Sequence, residues 1–395
     1  MSLSDARAGP ASARRAWQLA TGGLIAMAAA VGIGRFIYTP ILPPMADGLH
    51  LAKGEAGLIA SANFLGYLAG ALAASSSRLR GSPRAWLLGA LAISAASTGA
   101  MAWPDDMTAL LVLRLIGGVA SAYVLVLASA LVLERLNVAG RPGLSAVHFA
   151  GVGTGITASA LLTWLLAAIG ADWRAMWLGG GILSLAALAA VTALIPGADI
   201  ASAPRPSTAD PDSDPRLKRL TLAYGLFGFG YIITTTFIVV IVRSSPQALA
   251  VEPLFWLVFG VAAVPSVALW VAAARRLGAM RAFAAAAVVE AVGVFASVAW
   301  PSITGLFAAS ALLGATFMGL TALGLIGARD LAPGSPRRWV AILTSAFGLG
   351  QIAGPIVAGY GFDMTGSFFL PSMLAVAALI VSAALAVSIG RQRLG

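Results

Sequence analysis

Twelve apolar runs, each long enough to cross a lipid bilayer, constrain this chain more than any other feature. A hydrocarbon core ~30 Å thick needs about 20 helical residues. Runs of that order fall at 17–44, 55–76, 85–103, 107–133, 144–168 and 175–195, then at 220–242, 253–274, 282–300, 303–326, 339–361 and 368–389. Inside a bilayer no water satisfies the backbone, so each run must close its own hydrogen bonds as a helix. The expected fold is an all-α integral membrane protein of twelve transmembrane helices, numbered 1 to 12 below. Composition agrees: 59% of residues are hydrophobic and 10% charged, against roughly 45–50% and 25% in soluble domains. The boundaries read as an N-terminal tail (1–16), a six-helix bundle (17–195), a Pro-, Asp- and Ser-rich linker (196–219), a second six-helix bundle (220–389) and a short tail (390–395).

The formal net charge of +10 is a matter of position, and no nucleic-acid partner is implied. With the N-terminus inside, 20 of the 25 lysines and arginines fall in cytoplasmic segments, Lys53, Arg174 and Arg243 fall outside, and Arg35 and Arg114 lie within helices. Both termini are therefore expected in the cytoplasm, with the chain in an inner (plasma) membrane and the bilayer as its partner. Arg14 and Arg15 precede an apolar run too long for a cleaved signal, so that run is expected to be retained. The absence of cysteine excludes disulfides and thiolate metal sites. No phosphate-binding Gly-x-x-x-x-Gly-Lys-Ser/Thr loop occurs, so ATP-driven transport has no support. Two distant histidines and one deep acid make neither a metal centre nor a catalytic set. No cofactor and no enzymatic activity are expected.

The two sets of six repeat each other. Gly32-Ile33-Gly34-Arg35-Phe36-Ile37-Tyr38-Thr39-Pro40 in helix 1 returns as Gly228-Phe229-Gly230-Tyr231-Ile232-Ile233-Thr234-Thr235-Thr236 in helix 7. Gly81 and Arg84 match Gly278 and Arg281, and Gly151-Val152-Gly153 in helix 5 matches Gly348-Leu349-Gly350 in helix 11. Six helices per half is an even number, so the halves share one orientation and are parallel repeats about an axis along the membrane normal.

With these residues, and with Ala62-Asn63-Phe64-Leu65-Gly66-Tyr67-Leu68-Ala69-Gly70, Arg114 before Gly117-Gly118, His148-Phe149-Ala150-Gly151, Trp173-Arg174 and Gly350-Gln351-Ile352-Ala353-Gly354-Pro355, the chain resembles the major facilitator superfamily. More narrowly it resembles its YbfB/YjiJ-type members. The resemblance implies a multi-pass inner-membrane carrier that works by alternating access, with helices 1 and 4 as neighbours lining its cavity, and the chain is expected to act as a monomer. Two departures stand out. Ser75-Ser76-Ser77-Arg78-Leu79-Arg80-Gly81 lacks the aspartate usual in that superfamily loop. Helix 5 also lacks the Gly-Pro pair of drug antiporters, while Gly354-Pro355 sits in helix 11.

Arg35 is a permanent charge inside an apolar run, and it lies ~14 Å from the end of that run at Pro44. Arg114 lies ~12 Å into helix 4 from the same surface. Their common depth allows two readings: a bidentate clamp on a carboxylate or phosphate, or arginines that cap helix carbonyls. Tyr38, Thr39, Asn63, Tyr67, Tyr231, Thr235 and Gln351 complete the candidate substrate contacts, and each could instead be an interhelical hydrogen bond. Glu290, the one acid deep in an apolar span, is either a proton carrier or a protonated donor between helices. His148 titrates in an accessible range and, with Arg114, is a second candidate for proton coupling or an interhelical donor. The expected function is secondary active transport of a small organic anion, coupled to protons. A drug or metabolite efflux carrier and a non-transporting sensor on the same scaffold are the alternatives, though a sensor would need a soluble domain for which the tails leave no room.

Overall fold

The computed structural model of the protein describes residues 10–76, 81–196, 214–332 and 336–391. Arg78 and Arg80 of the loop after helix 2, most of the 196–219 linker and the ends of both tails lie outside the described residues. Described residues contain no strand. Helices 2 to 7 run Lys53–Ala74, Pro83–Ala100, Met107–Val138, Ser145–Ala168, Trp173–Leu194 and Pro215–Arg243. Helices 9 to 12 run Ala279–Ala299, Ile303–Leu331, Pro336–Thr365 and Phe369–Arg391. Eleven helices among the described residues are long and apolar enough to cross a membrane. Helix 3 falls short on composition because Pro83 and Arg84 occupy its first turn, yet it packs in the same bundle against helices 4 and 6.

Helices 1 and 8 depart from the simple rods expected. Helix 1 starts as Pro10–Met27, widens into a π turn over Ala28–Ile33, and resumes as Tyr38–Leu49. In the wide turn Gly34 N–H donates to the Ala29 carbonyl at 2.8 Å and Phe36 N–H to Val31 at 3.3 Å, both five residues back. The helix also continues through Pro43 and Pro44, where the apolar run was expected to end. What stops it is His50, which adopts a left-handed conformation (φ 54°) and donates its N–H to Ala46. Helix 8 is split into Glu252–Ala263 and Ser266–Leu277. Pro265 sits at the break, where its ring removes a donor and crowds the preceding turn.

Arginines hold some helix ends together. Arg84 donates to the carbonyls of Thr192 and Ile195 at 2.7 Å each, and Arg135 donates to Pro196 at 3.1 Å. A cation at a helix C-terminus satisfies orphan carbonyls and suits the macrodipole. Helix 6 is thereby fixed to helices 3 and 4 without the missing aspartate of the loop. Asp214 caps helix 7 by accepting from Arg216 N–H at 2.8 Å, and the Arg216 guanidinium beside it holds its carboxyl below the usual carboxylate range.

The two halves meet along three seams. Between helices 2 and 11, Asp363 accepts from the N–H groups of Lys53 (3.1 Å) and Gly54 (2.7 Å), and Ser61 donates to the Ile352 carbonyl at 2.8 Å. A Cβ on Gly57 would strike the Pro355 carbonyl, so glycine is required at that close approach. Between helices 5 and 8, a Cβ on Gly260 would lie 2.6 Å from Thr157 N, and Trp256 Nε1–H points to Ser159 Oγ at 3.3 Å. Between helices 1 and 7, Thr39 Oγ1 donates to the Thr235 carbonyl at 3.1 Å, and Arg243 reaches Asp47 at 3.2 Å. Both of these last pairs are separated by 196 residues, the repeat offset, so equivalent positions touch across the pseudo-twofold axis. All these contacts lie toward the face that carries Asp47, Lys53, Arg243 and Asp363, opposite the chain termini. That face is closed.

Candidate functional site

The break in helix 1 creates the site. Thr39 N–H donates to Phe36 at 3.2 Å rather than to Arg35, which leaves the Arg35 carbonyl outside the helical ladder. Arg114 of helix 4 fills the gap. Its Nη1 donates to the Gly34 carbonyl at 3.2 Å and its Nη2 to the Arg35 carbonyl at 3.1 Å. The same guanidinium carbon lies 5.0 Å from the Tyr38 ring centroid and 5.8 Å from that of Trp177. Asn63 completes the support by donating from Nδ2 to the Arg114 carbonyl at 2.9 Å. Arg114 therefore holds the broken segment with its planar fork.

Arg35, projecting from that segment, is placed differently. It is 6% exposed. Its guanidinium carbon lies 4.2 Å from the centroid of Tyr67, 4.6 Å from Phe64 and 5.5 Å from Phe36. Ring faces attract a cation by ~0.5 to 2 kcal/mol each, and Tyr67 is also a side-chain hydrogen-bond partner of Arg35, while Nε and Nη2 of Arg35 have no partner. None of the ion pairs among the described residues involves Arg35.

The second half supplies the opposite wall. Tyr231, the repeat mate of Arg35, stacks between aromatic rings: Phe227 at 5.1 Å, Phe317 at 5.8 Å (13° between planes) and Phe347 at 5.8 Å (6°). Phe317 also meets Phe36 edge-on at 5.9 Å, which ties this wall to helix 1. Gln351 of helix 11 donates from Nε2 to the Tyr231 hydroxyl and leaves Oε1 unpartnered, although the residue is fully buried. Glu290 lies on the buried face of helix 9 with Phe283, Ala286, Ala287 and Val294, and Phe283 packs edge-on against Phe227 at 6.1 Å. Both Glu290 oxygens lack a hydrogen-bond partner. Tyr231 lies within electrostatic reach of Arg35 and Glu290.

The other candidates have backbone partners. Tyr38 Oη donates to the Ala56 carbonyl at 2.8 Å, and Thr235 Oγ1 to Tyr231 at 2.8 Å, while Thr39 forms the cross-half bond already described. His148 is buried between helices 1, 4 and 5, with Nε2 3.0 Å from Ser129 Oγ and a Cβ on Gly23 blocked by its ring. Gly23 is twelve residues before Arg35, ~18 Å along the helix, so His148 stands apart from the central cluster. Arg35, Asn63, Tyr67, Arg114, Tyr231 and Gln351 are brought together; His148 is not. Phe64, Phe317 and Phe347 were missed as site residues. A lone aromatic in an apolar run carries no signal that separates a cavity wall from a core.

The repeat mates diverge at the centre. Ser310 stands where Arg114 does in the first half, and helix 7 has no π turn to hold. Ser94 is the counterpart of Glu290 and lies against Gly34, whose Cβ would come within 2.7 Å of its hydroxyl.

Two parallel six-helix repeats, a broken first helix and a buried charge between the halves define the class of a major facilitator carrier. The chain belongs to that superfamily's family described as "Uncharacterised MFS-type transporter YbfB", whose model matches residues 27–387. The nucleoside transporter NupG has a similar fold: a point mutant of it superposes with a TM-score of 0.70 at 15% identity, over 95% of this chain and 99% of that one. A second NupG structure gives a TM-score of 0.67 at 16% identity, over 95% and 98%. No curated protein sequence matches the chain. The protein is a multi-pass membrane transporter.

Proposed function

We propose that the protein is a secondary active carrier of a small organic anion, coupled to protons, in a bacterial inner membrane with both termini cytoplasmic. Residues 17–195 and 220–389 would be the two moving bundles of a monomer, joined by the 196–219 linker, with no enzymatic step. One observation carries the reading: Arg35 is a buried cation whose Nε and Nη2 have no partner and which forms no ion pair among the described residues. A buried guanidinium left so is unfavourable by several kcal/mol unless a counter-charge arrives, and a substrate anion is the counter-charge that would come and go. The likeness to a nucleoside transporter supports the fold only, since a nucleoside would leave this charge unmatched.

In this proposal Arg35 binds the anion, Asn63, Tyr67, Tyr231 and Gln351 surround the ligand, and Arg114 positions helix 1. Thr39 and Thr235 hold the joint between the halves, and Tyr38 ties helix 1 to helix 2 of its own half. Binding requires the halves to part on the side of the termini, because the opposite face is closed. A direct test uses the natural absence of cysteine. Cysteines introduced at Asp47 and Arg243 and bridged by a short bis-methanethiosulfonate, which forms a disulfide to each with loss of methanesulfinate, should lower uptake of substrate into proteoliposomes by more than about ten-fold, with recovery on reduction. Unchanged uptake in fully bridged protein would mean that these seams do not open during transport.

Glu290 is the proposed proton carrier, buried with neither carboxyl oxygen hydrogen-bonded. Glu290→Gln should abolish accumulation driven by a pH gradient while exchange of internal for external substrate continues. His148→Gln and an Arg114 variant belong beside it, since all three residues are candidates for coupling. Accumulation by Glu290→Gln at the parental level would remove it from the proton path.

A further inference from the structure

The surroundings of Arg35 point to the kind of anion. Its guanidinium is walled on its own half by Phe36, Phe64 and Tyr67, all within 5.5 Å. The facing half offers Tyr231 stacked with Phe317 and Phe347, planes within 13° in each pair, and Phe317 meets Phe36 edge-on at 5.9 Å, so a ligand ring would take the place of that contact as the halves part. Aliphatic carboxylates need no such walls, whereas a flat conjugated ring gains from offset stacking against them. Several buried polar atoms here lack a partner, among them Asn63 Oδ1, Arg114 Nε and both Glu290 oxygens, and two groups of them bear on the ligand. Arg35 Nε and Nη2 are donors that want an anionic acceptor, while Gln351 Oε1 is an acceptor that wants an O–H or N–H. In this orientation the Gln351 Nε2 donates to the Tyr231 hydroxyl and Oε1 is the free end.

We infer that the substrate is a planar aromatic carboxylate bearing a hydroxyl or amino donor: the carboxylate on Arg35, the ring between the two aromatic walls, the donor on Gln351 Oε1. This rests on the reading of Arg35 as the anion ligand, and the test separates the two. Binding to the purified full-length chain would be measured by calorimetry with 4-hydroxybenzoate, benzoate, cyclohexanecarboxylate and benzyl alcohol. Benzoate should bind about ten-fold more tightly than its saturated counterpart, and 4-hydroxybenzoate tighter still by about ten-fold. Gln351→Leu should erase the second preference and keep the first. Tyr231→Leu should reduce the first.

Cyclohexanecarboxylate binding within two-fold of benzoate would overturn the aromatic class and leave Arg35 as an anion ligand. Benzyl alcohol binding as tightly as benzoate, in the parent and in Arg35→Ala alike, would overturn the anion reading itself. Failure of both aromatic acids to bind at ~10 mM, a level at which even weak carrier ligands register, would overturn the inference as well. Equal affinity of the two aromatic acids for the parent would remove the donor from the class.

Discussion

Arg35→Ala is expected to weaken binding of the substrate anion by ~2 to 5 kcal/mol, the range seen when one partner of a buried charge pair is truncated. In affinity that is roughly 30-fold to several thousand-fold. The protein should nevertheless fold. In the ligand-free chain the guanidinium is buried with Nε and Nη2 unpartnered, so its removal relieves a desolvation penalty while forfeiting the attraction of the Phe64 and Tyr67 rings. These two effects oppose each other, and the thermal midpoint should move little. Arg35→Lys keeps the charge but loses the planar fork, and should fall between parent and alanine. Calorimetry with the identified anion, next to a thermal-unfolding scan, reads both quantities. An Arg35→Ala protein with parental affinity would return Arg35 to a structural role.

Arg114→Leu should behave in the opposite way, with a lowered thermal midpoint and lost binding together. Its two N–H donations to Gly34 and Arg35 are the partners of carbonyls that the π turn has left outside the ladder. A buried carbonyl deprived of its donor is unfavourable by ~1 to 3 kcal/mol, so two of them amount to a large fraction of a typical folding stability. Arg114→Lys places a charge nearby but cannot bridge two carbonyls at once, and should recover only part of the loss. The contrast with Arg35 discriminates between the roles. If Arg114→Leu kept the parental midpoint and lost only affinity, Arg114 would itself be a ligand contact and the two arginines would form the bidentate clamp allowed by their common depth.

Much of this was legible in the residues. Runs of about 20 apolar residues predict helices because the bilayer permits little else, and the Gly32–Pro40 and Gly228–Thr236 motifs expose the repeat. The positions of Arg35 and Arg114 mark the centre, since a charge at that depth needs a reason. The division of labour between them was not legible. Both stand at similar depth in helices that face one another, and only the register of the π turn decides which guanidinium meets carbonyls and which meets rings. The ends of helix 1 were also misjudged: Pro43-Pro44 reads as a stop, yet the following turn continues to Leu49 and His50 ends it. Cross-half partners such as Asp363 with Gly54 escape sequence reading altogether, because nothing local couples residues 309 apart.

The π turn also bears on how such a protein moves. The stretch Pro10–Met27 packs against helices 5 and 6 of its own bundle, while Tyr38–Leu49 is bonded through Thr39 and Asp47 to helix 7 of the other. Helix 1 is thus two rods on an elbow: the first is docked within its own bundle, and the second touches both, through Tyr38 to Ala56 of helix 2 and through Thr39 and Asp47 to helix 7. If the two bundles rock as proposed, the relative displacement would fall at this elbow, on which Arg35 is mounted. In the proposed cycle, an anion held by Arg35 would act on the pivot itself, with no longer route through the bundle.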